Sequence, residues 1–568
     1  MVSHGRYTRD IHFVCDFFDR DSFSGDTGLI HKEKRWLYAV WLVVIAGFAL
    51  LHAMHLGADF PNRSPWFMDW AKYTDEGWYG NAAVRAHLFG NWYLAGDFNP
   101  APAVPVWPLL EWVLFSFSGV SLEAARGLAV VFFFANLGLT YLLLRTRGPG
   151  WVALLALTLL VTSPFLYCFS RLAILEPMLT TLTLAAMNVC IRLPRFRHPV
   201  WAAAGIGLLL TLMMLTKTTA VFLLPALGWG MAAPLWEDRK LLRKCAAAAA
   251  ATFVATFGLW MGLVARAGLM ADYKYLFFVN KYPKPTQFDW PLVSFWWSFH
   301  GGLWVDRILI PLSGLVVIGA MLAWRTAPGR RLLLDPVFGA SVLAVAGYIL
   351  FMTYQDHPQP RYFAVVVVFC FVVVAQGAEA LLAETDEGGG RLGERRVFAR
   401  MAGWAVLLLA AVATGINGAG TLDYATHPEY TFVEAAQRLA RYIDEHPNGN
   451  RLLLCVSGDE VTLASHLPTI NDLFVGPSAD MPDLAAKVGY YRPGWYATWN
   501  TLDPGMLEDI HSHDSVEQVA SFRAYDDRTR NVLVLFKLHP WSGGRVFDPA
   551  DEHLNVRFPE DKFDIPLK

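Results

Sequence analysis

The segment from Trp36 to Leu56 reads WLYAVWLVVIAGFALLHAMHL and contains no Asp, Glu, Lys or Arg. An α-helix needs about 20 apolar residues to cross the hydrocarbon core of a bilayer, so this segment has the length of a membrane span. Lys32, Lys34 and Arg35 directly precede it, and a basic flank of this kind favours a cytoplasmic N-terminus. Residues 1–35 contain no apolar core near their start, so no cleavable signal peptide is predicted.

The composition of the whole chain also indicates a membrane protein. Of 568 residues, 55% are hydrophobic and 17% are charged, whereas soluble domains have about 25% charged residues. The mean hydropathy is +0.33. No basic domain or nucleic-acid-binding motif is present, which argues against a nucleic-acid partner. The six cysteines lack metal-ligand spacing, so neither a disulfide framework nor a zinc site is predicted.

Ten further apolar segments have the length of membrane helices: 124–144, 151–169, 175–191, 200–216, 219–235, 245–265, 306–324, 336–354, 363–383 and 401–418. With the first span they predict an all-α polytopic bundle of about eleven transmembrane helices. The loops expected in the cytoplasm contain sixteen basic residues, which are Arg145, Arg147, Arg192, Arg195, Arg197, Arg239, Lys240, Arg243, Lys244, Arg325, Arg330, Arg331, Arg391, Arg395, Arg396 and Arg400.

The three short loops on the opposite side contain one basic residue each: Arg171, Lys217 and Arg361. This asymmetry satisfies the positive-inside rule across the bundle. Eleven spans that start inside place the C-terminus outside. The predicted organisation is therefore a cytoplasmic segment 1–35, a transmembrane domain 36–419 and an extracytoplasmic domain 420–568.

The first outer loop, residues 57–123, contains the polar stretch Tyr73-Thr74-Asp75-Glu76-Gly77-Trp78-Tyr79. Thr74 is a suitable N-cap, and acids in a first turn interact favourably with the helix dipole. Helical spacing then places four residues on one face of an amphipathic segment: Trp78, Ala82, Ala86 and Phe89. Taken alone, the two acids are equally consistent with the start of an ordinary surface helix. Val106 to Ser118 is apolar but too short to span a bilayer, which predicts an interfacial segment.

Residues 420–568 have mixed polarity and predict a small α/β domain. The runs Arg451 to Val456 and Asn531 to Phe536 are typical of buried strands, and Phe432 to Ile443 has helical periodicity. His511 and His513 lack an obvious third ligand, which favours surface histidines over a metal site. Glu384 to Arg400, with three consecutive glycines, is predicted to be a flexible linker.

The lone cations in the short outer loops have two interpretations. Each is either an anchor at the membrane surface or part of a site, because ionisable groups at membrane depth are costly and usually functional. Three such cations lie on the same predicted face as Asp75 and Glu76, which favours convergence on an anion.

Several motifs resemble those of GT-C glycosyltransferases, specifically the branch of protein O-mannosyltransferases and lipid A aminoarabinose transferases. The matching features, in chain order, are Asp75-Glu76, the proline-rich segment before Trp107-Pro108-Leu109-Leu110, Ser170-Arg171 with Glu176, Leu215-Thr216-Lys217 and Pro360-Arg361-Tyr362-Phe363. The resemblance covers about residues 30 to 420. Glu176 stands where Asp is commoner, and Pro105-Val106-Trp107-Pro108 lacks the usual Pro-Pro-Leu.

The resemblance implies transfer of a sugar from a polyprenyl-phosphate carrier to a hydroxyl-bearing lipid, protein or glycan, with inversion at the anomeric carbon. It assigns the general base to Asp75. Glu76 and Glu176 would orient the acceptor, pair with Arg171 or help to hold a divalent cation. Five further residues are expected to bind substrate: Tyr79, Lys217, His357, Arg361 and Tyr362. Magnesium or manganese is possible but not required, because Arg and Lys supply positive charge without metal.

Two other functions stay open at this point. A transporter or flippase for lipid-linked sugars would place ionisable groups near the bilayer midplane, often within inverted repeats. A non-catalytic scaffold would not need Asp75. The expected location is a bacterial inner (plasma) membrane, with the active site on the extracytoplasmic side, and the sugar, acceptor and carrier length are not indicated by the sequence.

Overall fold

The structure is a computed structural model, and it describes residues 28–59, 61–66, 69, 71, 74–92, 94, 96–97, 99–276, 305–354, 359–383, 393–472, 483–499, 504–524 and 531–540. The chain forms two compact units, Met1–Gly47 and Phe48–Lys568. The first helix, α1 (Gly28–Leu51), begins in the first unit. The site described below lies entirely within the second unit.

The described part of the second unit is mainly helical. Its helices up to the C-terminal region are α2 (Asp75–Phe89), α3 (Val106–Ser118), α4 (Leu122–Leu144), α5 (Gly150–Thr162), α6 (Pro164–Phe169), α7 (Leu175–Arg192), α8 (Pro199–Thr216), α9 (Leu224–Ala232), α10 (Arg239–Arg266), α11 (Met270–Lys274), α12 (Leu309–Leu322), α13 (Ala327–Leu334), α14 (Pro336–Tyr354), α15 (Phe363–Ala383) and α16 (Gly393–Thr426). Short 3₁₀ turns at Thr218–Leu223 and Pro360–Tyr362 precede α9 and α15.

Six segments in the described residues are long and apolar enough to cross a membrane: Leu122–Leu144, Pro199–Thr216, Thr218–Leu235, Arg239–Arg266, Pro360–Ala383 and Val397–Thr426. A seventh arises if Ala327–Leu334 and Pro336–Met352, bent by 66°, form one broken span. The multi-pass helical class is therefore confirmed, but the count of eleven is not. Some predicted spans are interrupted, because the segment 151–169 divides at Pro164 into α5 and α6.

The predicted helix after Thr74 is confirmed as α2, but it is not an amphipathic surface helix. Most residues of its first three turns are buried on every side, including both acids and Arg85. Thr74 occupies the N-cap position without a side-chain hydrogen bond to the helix backbone. Its hydroxyl instead donates to Asp75 Oδ1 at 3.2 Å. The apolar segment Val106–Ser118 forms α3, with Trp107 and Glu111 buried and Phe117 exposed.

The C-terminal region confirms the expected mixture of helices and strands. Its sheet contains β1 (Leu453–Cys455), β2 (Thr469–Ile470), β3 (Trp495–Trp499), β4 (Asp514–Arg523) and β5 (Val532–Pro540) in the order β2-β1-β3-β5-β4. Strand β1 pairs in parallel with β2 and β3, whereas β5 pairs antiparallel with β3 and β4. The helices of this region are α17 (Thr431–Glu445), α18 (Gly458–Ser465), α19 (Leu484–Tyr491) and α20 (Pro504–His511).

The strands bury alternate residues on opposite faces of this sheet. Leu453 and Trp495 pack in one cluster with Leu439 of α17. The next residues along the strands, Leu454 and Tyr496, pack in a second cluster with helices α19 and α20. This two-residue period is the expected consequence of a strand covered on both faces. Helix α16 starts at Gly393, so the predicted flexible linker becomes helical there, and the expected domain boundary at residue 420 lies inside this helix.

Candidate active site

Asp75 begins α2 and lies against an arginine from a distant part of the chain. Arg361, in the 3₁₀ turn before α15, places Nη2 2.5 Å from Asp75 Oδ2. Both residues are buried, with exposed fractions of 8% for Asp75 and 6% for Arg361. An ion pair with so little solvent is a costly arrangement unless further polar contacts support it.

Asp69 supplies that support. Its Oδ1 accepts from Arg361 Nη1 at 2.7 Å, and its Oδ2 accepts from the Arg361 backbone N–H at 2.8 Å. The guanidinium therefore lies between two carboxylates, and its orientation is fixed through both side chain and backbone. Arg361 Nε has no hydrogen-bond partner in the described structure. No periodic pattern or motif in the sequence marks Asp69 as a site residue.

A second buried ion pair lies next to the first. Lys217, between α8 and the 3₁₀ turn, contacts Oε1 of Glu176 in the first turn of α7. Lys217 Nζ also lies 4.9 Å from the centroid of the Tyr362 ring and 6.0 Å from that of Tyr79. Glu176 Oε2 is buried and has no hydrogen-bond partner among the described residues. Six predicted residues are thus brought together: Asp75, Tyr79, Glu176, Lys217, Arg361 and Tyr362.

The cluster changes the acid–base properties of its members. Burial raises the pKa of Asp75 above its usual value, while Arg361 lowers it and Asp69 raises it. Burial also lowers the pKa of Lys217, opposed by the neighbouring Glu176. The pKa of Tyr79 is raised well above its usual value, mainly by burial and then by the charge of Asp75. Asp75 is therefore a stronger proton acceptor than a solvent-exposed aspartate.

Glu76, the other acid of the motif, has a different environment. Its carboxylate accepts from Arg126 Nε at 2.8 Å and from Arg126 Nη2 at 2.6 Å, and both side chains are fully buried. Glu76 Oε1 also accepts from the Ala173 backbone N–H at 2.8 Å. Arg126 Nη1 donates to the carbonyls of Leu56 and Ala58. Because consecutive helical residues point about 100° apart, Glu76 faces a structural ion pair and not the Asp75 cluster.

Arg171 does not pair with Glu76 or Glu176, which was one of the roles considered for these two acids. Its guanidinium donates to the Tyr167 hydroxyl and to the His55 carbonyl, and no carboxylate pairs with it in the described part of the chain. Glu176 pairs with Lys217 and Glu76 with Arg126, so neither expected acid is available to Arg171. His357 and Tyr73 lie outside the described residues.

The proposed metal ligands are also separated by these ion pairs. Within the described ranges, no three Asp, Glu, His or Cys side chains are placed to hold one metal ion. Glu76 in particular is directed at Arg126 rather than at Asp75. The carboxylates Asp75, Glu76 and Glu176 therefore do not form a common ligand set in this arrangement.

Arg126 and Glu460 make two further contacts with α2 that sequence reasoning missed. Arg126 lies within the predicted span 124–144, and an arginine inside an apolar run is itself a signal for a buried partner. Glu460, from α18, accepts a hydrogen bond from the backbone N–H of Gly77 at 2.7 Å. No local pattern connects Glu460 to α2, because 383 positions separate the two residues.

The described residues thus define a class: a multi-pass helical membrane protein with a small C-terminal sheet and a buried acid–base cluster at the first turn of α2. No family model matches the chain, and no curated protein matches it in sequence. Solved structures do match. ArnT from Cupriavidus metallidurans bound to undecaprenyl phosphate aligns with a TM-score of 0.56 at 13% identity, over 87% of this chain and 98% of that one.

The apo structure of ArnT from the same organism gives a similar result. Its TM-score is 0.55 at 13% identity, over 88% of this chain and 98% of ArnT. ArnT, a lipid A aminoarabinose transferase, is a GT-C glycosyltransferase. This chain therefore has the GT-C fold, and the resemblance indicated by its motifs is confirmed at the level of the fold.

Proposed function

We propose that this chain is an inverting glycosyltransferase that moves a sugar from a polyprenyl-phosphate donor to a hydroxyl group at the extracytoplasmic membrane face. One observation carries the proposal. Within an ArnT-like fold, the Asp75 carboxylate lies 2.5 Å from Arg361, beside the Lys217–Glu176 pair. A proton acceptor and two cations are thereby held in one buried cluster.

These groups have complementary tasks in the proposed reaction. Asp75 accepts the proton of the acceptor hydroxyl as its oxygen forms a bond to the anomeric carbon. The bond from that carbon to the donor phosphate oxygen breaks, and its electron pair leaves with the polyprenyl phosphate. Lys217 and Arg361 stabilise this developing charge, so the leaving group needs no proton. A single displacement inverts the configuration.

Two buried polar atoms of the cluster lack a hydrogen-bond partner among the described residues and could bind the substrates. Arg361 Nε is a buried donor without a hydrogen-bond partner in the described structure, and guanidinium groups bind phosphate oxygens in a fixed geometry. Glu176 Oε2 is a buried acceptor that also lacks a hydrogen-bond partner among the described residues. Phosphate would contact Arg361 and Lys217, whereas Glu176 is placed to accept from a hydroxyl of the sugar or the acceptor. Tyr79 and Tyr362 flank Lys217 and would contact the substrate.

The proposal includes a membrane arrangement. We place the N-terminus in a bacterial cytoplasm, the site and residues 420–568 outside the inner membrane, and about eleven spans between them. The distribution of basic residues supports this orientation. The acceptor is a lipid, a protein or a glycan. A divalent cation is not required in this scheme, since Lys217 and Arg361 supply the positive charge.

The test is single-turnover transfer from labelled undecaprenyl-phosphate sugars, with donor binding measured on the same preparations. Asp75→Asn keeps the shape of the side chain but removes the proton acceptor, so transfer should fall at least about a hundredfold. Donor binding should survive, because the cations carry it. Asp444→Asn, at an exposed ion pair with Arg451, is the matched control.

Near-normal transfer by Asp75→Asn would contradict the assignment and direct attention to Glu176. Loss of binding together with transfer would show that Asp75 maintains the site instead of reacting. A wild-type protein that moves lipid-linked sugars across vesicles without transferring them would support the transporter alternative. Mass spectrometry of membrane glycolipids and glycoproteins, with and without the gene, would then identify the sugar and the acceptor.

A further inference from the structure

Helix α18 of the C-terminal region lies directly against the first turn of α2. At Gly77, a Cβ atom would lie 2.2 Å from the carbonyl carbon of Asp459 and 2.3 Å from the backbone nitrogen of Glu460. Both distances are far below van der Waals contact, so only glycine permits this approach. The approach brings the backbone of α18 to the helix whose first residue is Asp75.

Glu460 uses this approach to cap α2. Its Oε2 accepts from the Gly77 backbone N–H at 2.7 Å, and the Glu460 side chain is fully buried. Gly77 is the third residue of α2, and the first amides of a helix have no partner within the helix. Thr74 provides no side-chain cap. The oxygen that caps this helix therefore comes from the C-terminal region of the chain.

A second contact fixes the same helix two turns further on. Arg85 Nη2 lies 3.3 Å from Asp459 Oδ1 and donates to the Thr469 carbonyl at 3.2 Å. It also pairs with Asp97 at 2.6 Å. Helix α2 is thus attached to α18 at Gly77 and at Arg85. Attachment at two points limits both rotation and sliding of the helix.

The surroundings of Glu460 disfavour its charged form. Burial and the nearby Glu76 carboxylate raise the pKa of Glu460 well above its usual value, although Arg126 opposes this and Asp59 adds to it. Burial and Glu76 thus favour the neutral form of this carboxyl group. A neutral acid accepts the Gly77 N–H without adding a negative charge beside Glu76 and Asp75. Its Oε1 has no hydrogen-bond partner in the part of the chain that the structure describes.

We propose that Glu460 is a positioning residue of the active site, which fixes the first turn of α2 and thereby the Asp75 carboxylate. The C-terminal region then takes part in catalysis by holding the base in place, without contacting the reacting atoms. The catalytic consequence rests on the proposed function, whereas the attachment of α2 does not. Misplacing a catalytic group by about 1 Å costs up to about a hundredfold in rate.

Three variants separate the hydrogen bond from the volume and charge of the side chain. Glu460→Met fills a similar volume without an accepting oxygen, and kcat should fall by about tenfold to a hundredfold. Glu460→Gln keeps an accepting oxygen and resembles the neutral acid, so kcat and the acid limb of its pH profile should stay near wild type. Donor affinity should be unchanged in both. Glu434→Gln, exposed on α17 of the same region, is the surface control.

Hydrogen exchange gives a readout that does not depend on activity. The amides of residues 75–78 should exchange faster in Glu460→Met than in wild type and should be unchanged in Glu460→Gln. If Glu460→Met yields no folded protein, Glu460→Asp replaces it, because the carboxyl is then one methylene too far from Gly77. The expected result for Glu460→Asp is the same faster exchange and lower kcat.

Each outcome decides the inference. Unchanged exchange in the variants that lack the cap would overturn the attachment, whatever the activity. Faster exchange with wild-type kcat would overturn the positioning role and leave the glycosyltransferase proposal intact. Equal loss of kcat in Glu460→Gln and Glu460→Met would show that the carboxyl group itself is needed, which contradicts a role that requires only an accepting oxygen. A wild-type protein without transferase activity would refute the proposed function, while exchange would still test the attachment.

Discussion

Asp75 and Glu76 are adjacent in the chain, but the structure gives them different partners. Asp75 faces Arg361 in the cluster with Lys217, whereas Glu76 is held by Arg126. A motif of two acids therefore contains one candidate for proton transfer and one structural group. Glu76→Gln is therefore unsuitable as a mild control for Asp75→Asn, because it breaks the buried pair with Arg126.

The environment of Asp75 predicts the pH dependence of transfer. Its pKa is raised, chiefly by burial, so the ionised base is lost at a higher pH than for an ordinary aspartate as the pH falls. Asp69→Asn removes a charge that raises this pKa while leaving an oxygen to accept from Arg361. The acid limb of the single-turnover rate should therefore move to lower pH. A limb that stays in place or moves upward would argue against Asp75 as the titrating base.

The Lys217–Glu176 pair allows phosphate binding to be separated from charge neutralisation. Lys217→Met alone leaves Glu176 as a buried unpaired acid, so its effect is ambiguous. In the double variant Lys217→Met/Glu176→Gln, both side chains are neutral. If Lys217 binds the donor phosphate, the double variant should still bind donor about tenfold to a hundredfold more weakly. Recovery of donor affinity in the double variant would mean that Lys217 only neutralises Glu176.

At the scale of elements, α2 depends on contacts from three directions. The 3₁₀ turn Pro360–Tyr362 contacts Asp75, helix α4 provides Arg126 for Glu76, and helix α18 caps Gly77. The helix is therefore buried on most of its surface, whereas the sequence predicted an amphipathic segment with one apolar face. Its polar first turn is stable inside the protein because each charged group meets a partner there.

The Glu76–Arg126 pair should be important for stability. Glu76→Gln removes the close counter-charge of the buried Arg126 guanidinium and leaves it with Asp59, whose Oδ1 lies 3.8 Å from Arg126 Nη2. The loss should cost up to about 3–5 kcal/mol of unfolding free energy. The double variant Glu76→Met/Arg126→Met should recover part of this loss. Recovery is partial because the carbonyls of Leu56 and Ala58 also lose a donor, and the buried Asp59 carboxylate loses its cationic neighbour. Thermal unfolding of the purified protein in detergent measures both effects. Wild-type stability with lost transfer in Glu76→Gln would instead favour a chemical role for Glu76.

At the scale of the whole molecule, the number of spans and the side of the site are linked. An odd number of spans from a cytoplasmic N-terminus places the C-terminus outside, and an even number places it inside. In the described residues, six segments are long and apolar enough to span a membrane, or seven if the bent pair forms one span. The proposed topology has about eleven spans. A reporter active only in the cytoplasm, fused after Lys568, should therefore be silent. Activity of that reporter would contradict the extracytoplasmic location of the site.

The sequence by itself determined the features that depend on local composition and periodicity. Apolar length indicated a multi-pass helical protein, and two short apolar runs located β1 and β5. Motif order also indicated the GT-C fold. Span length and strand character can be recognised from consecutive residues, because a bilayer or a sheet imposes the same requirement along the whole segment.

Only the tertiary structure decided which charges are partners. Glu76 and Arg126 are 50 positions apart, and Asp69 and Arg361 are 292 positions apart. A sequence shows that a residue carries a charge, but a buried charge is compensated by whichever group the fold brings to it. For this reason the sequence grouped Asp75 with Glu76, while the fold groups Asp75 with Asp69, Arg361 and Lys217 and places Glu76 in a separate ion pair.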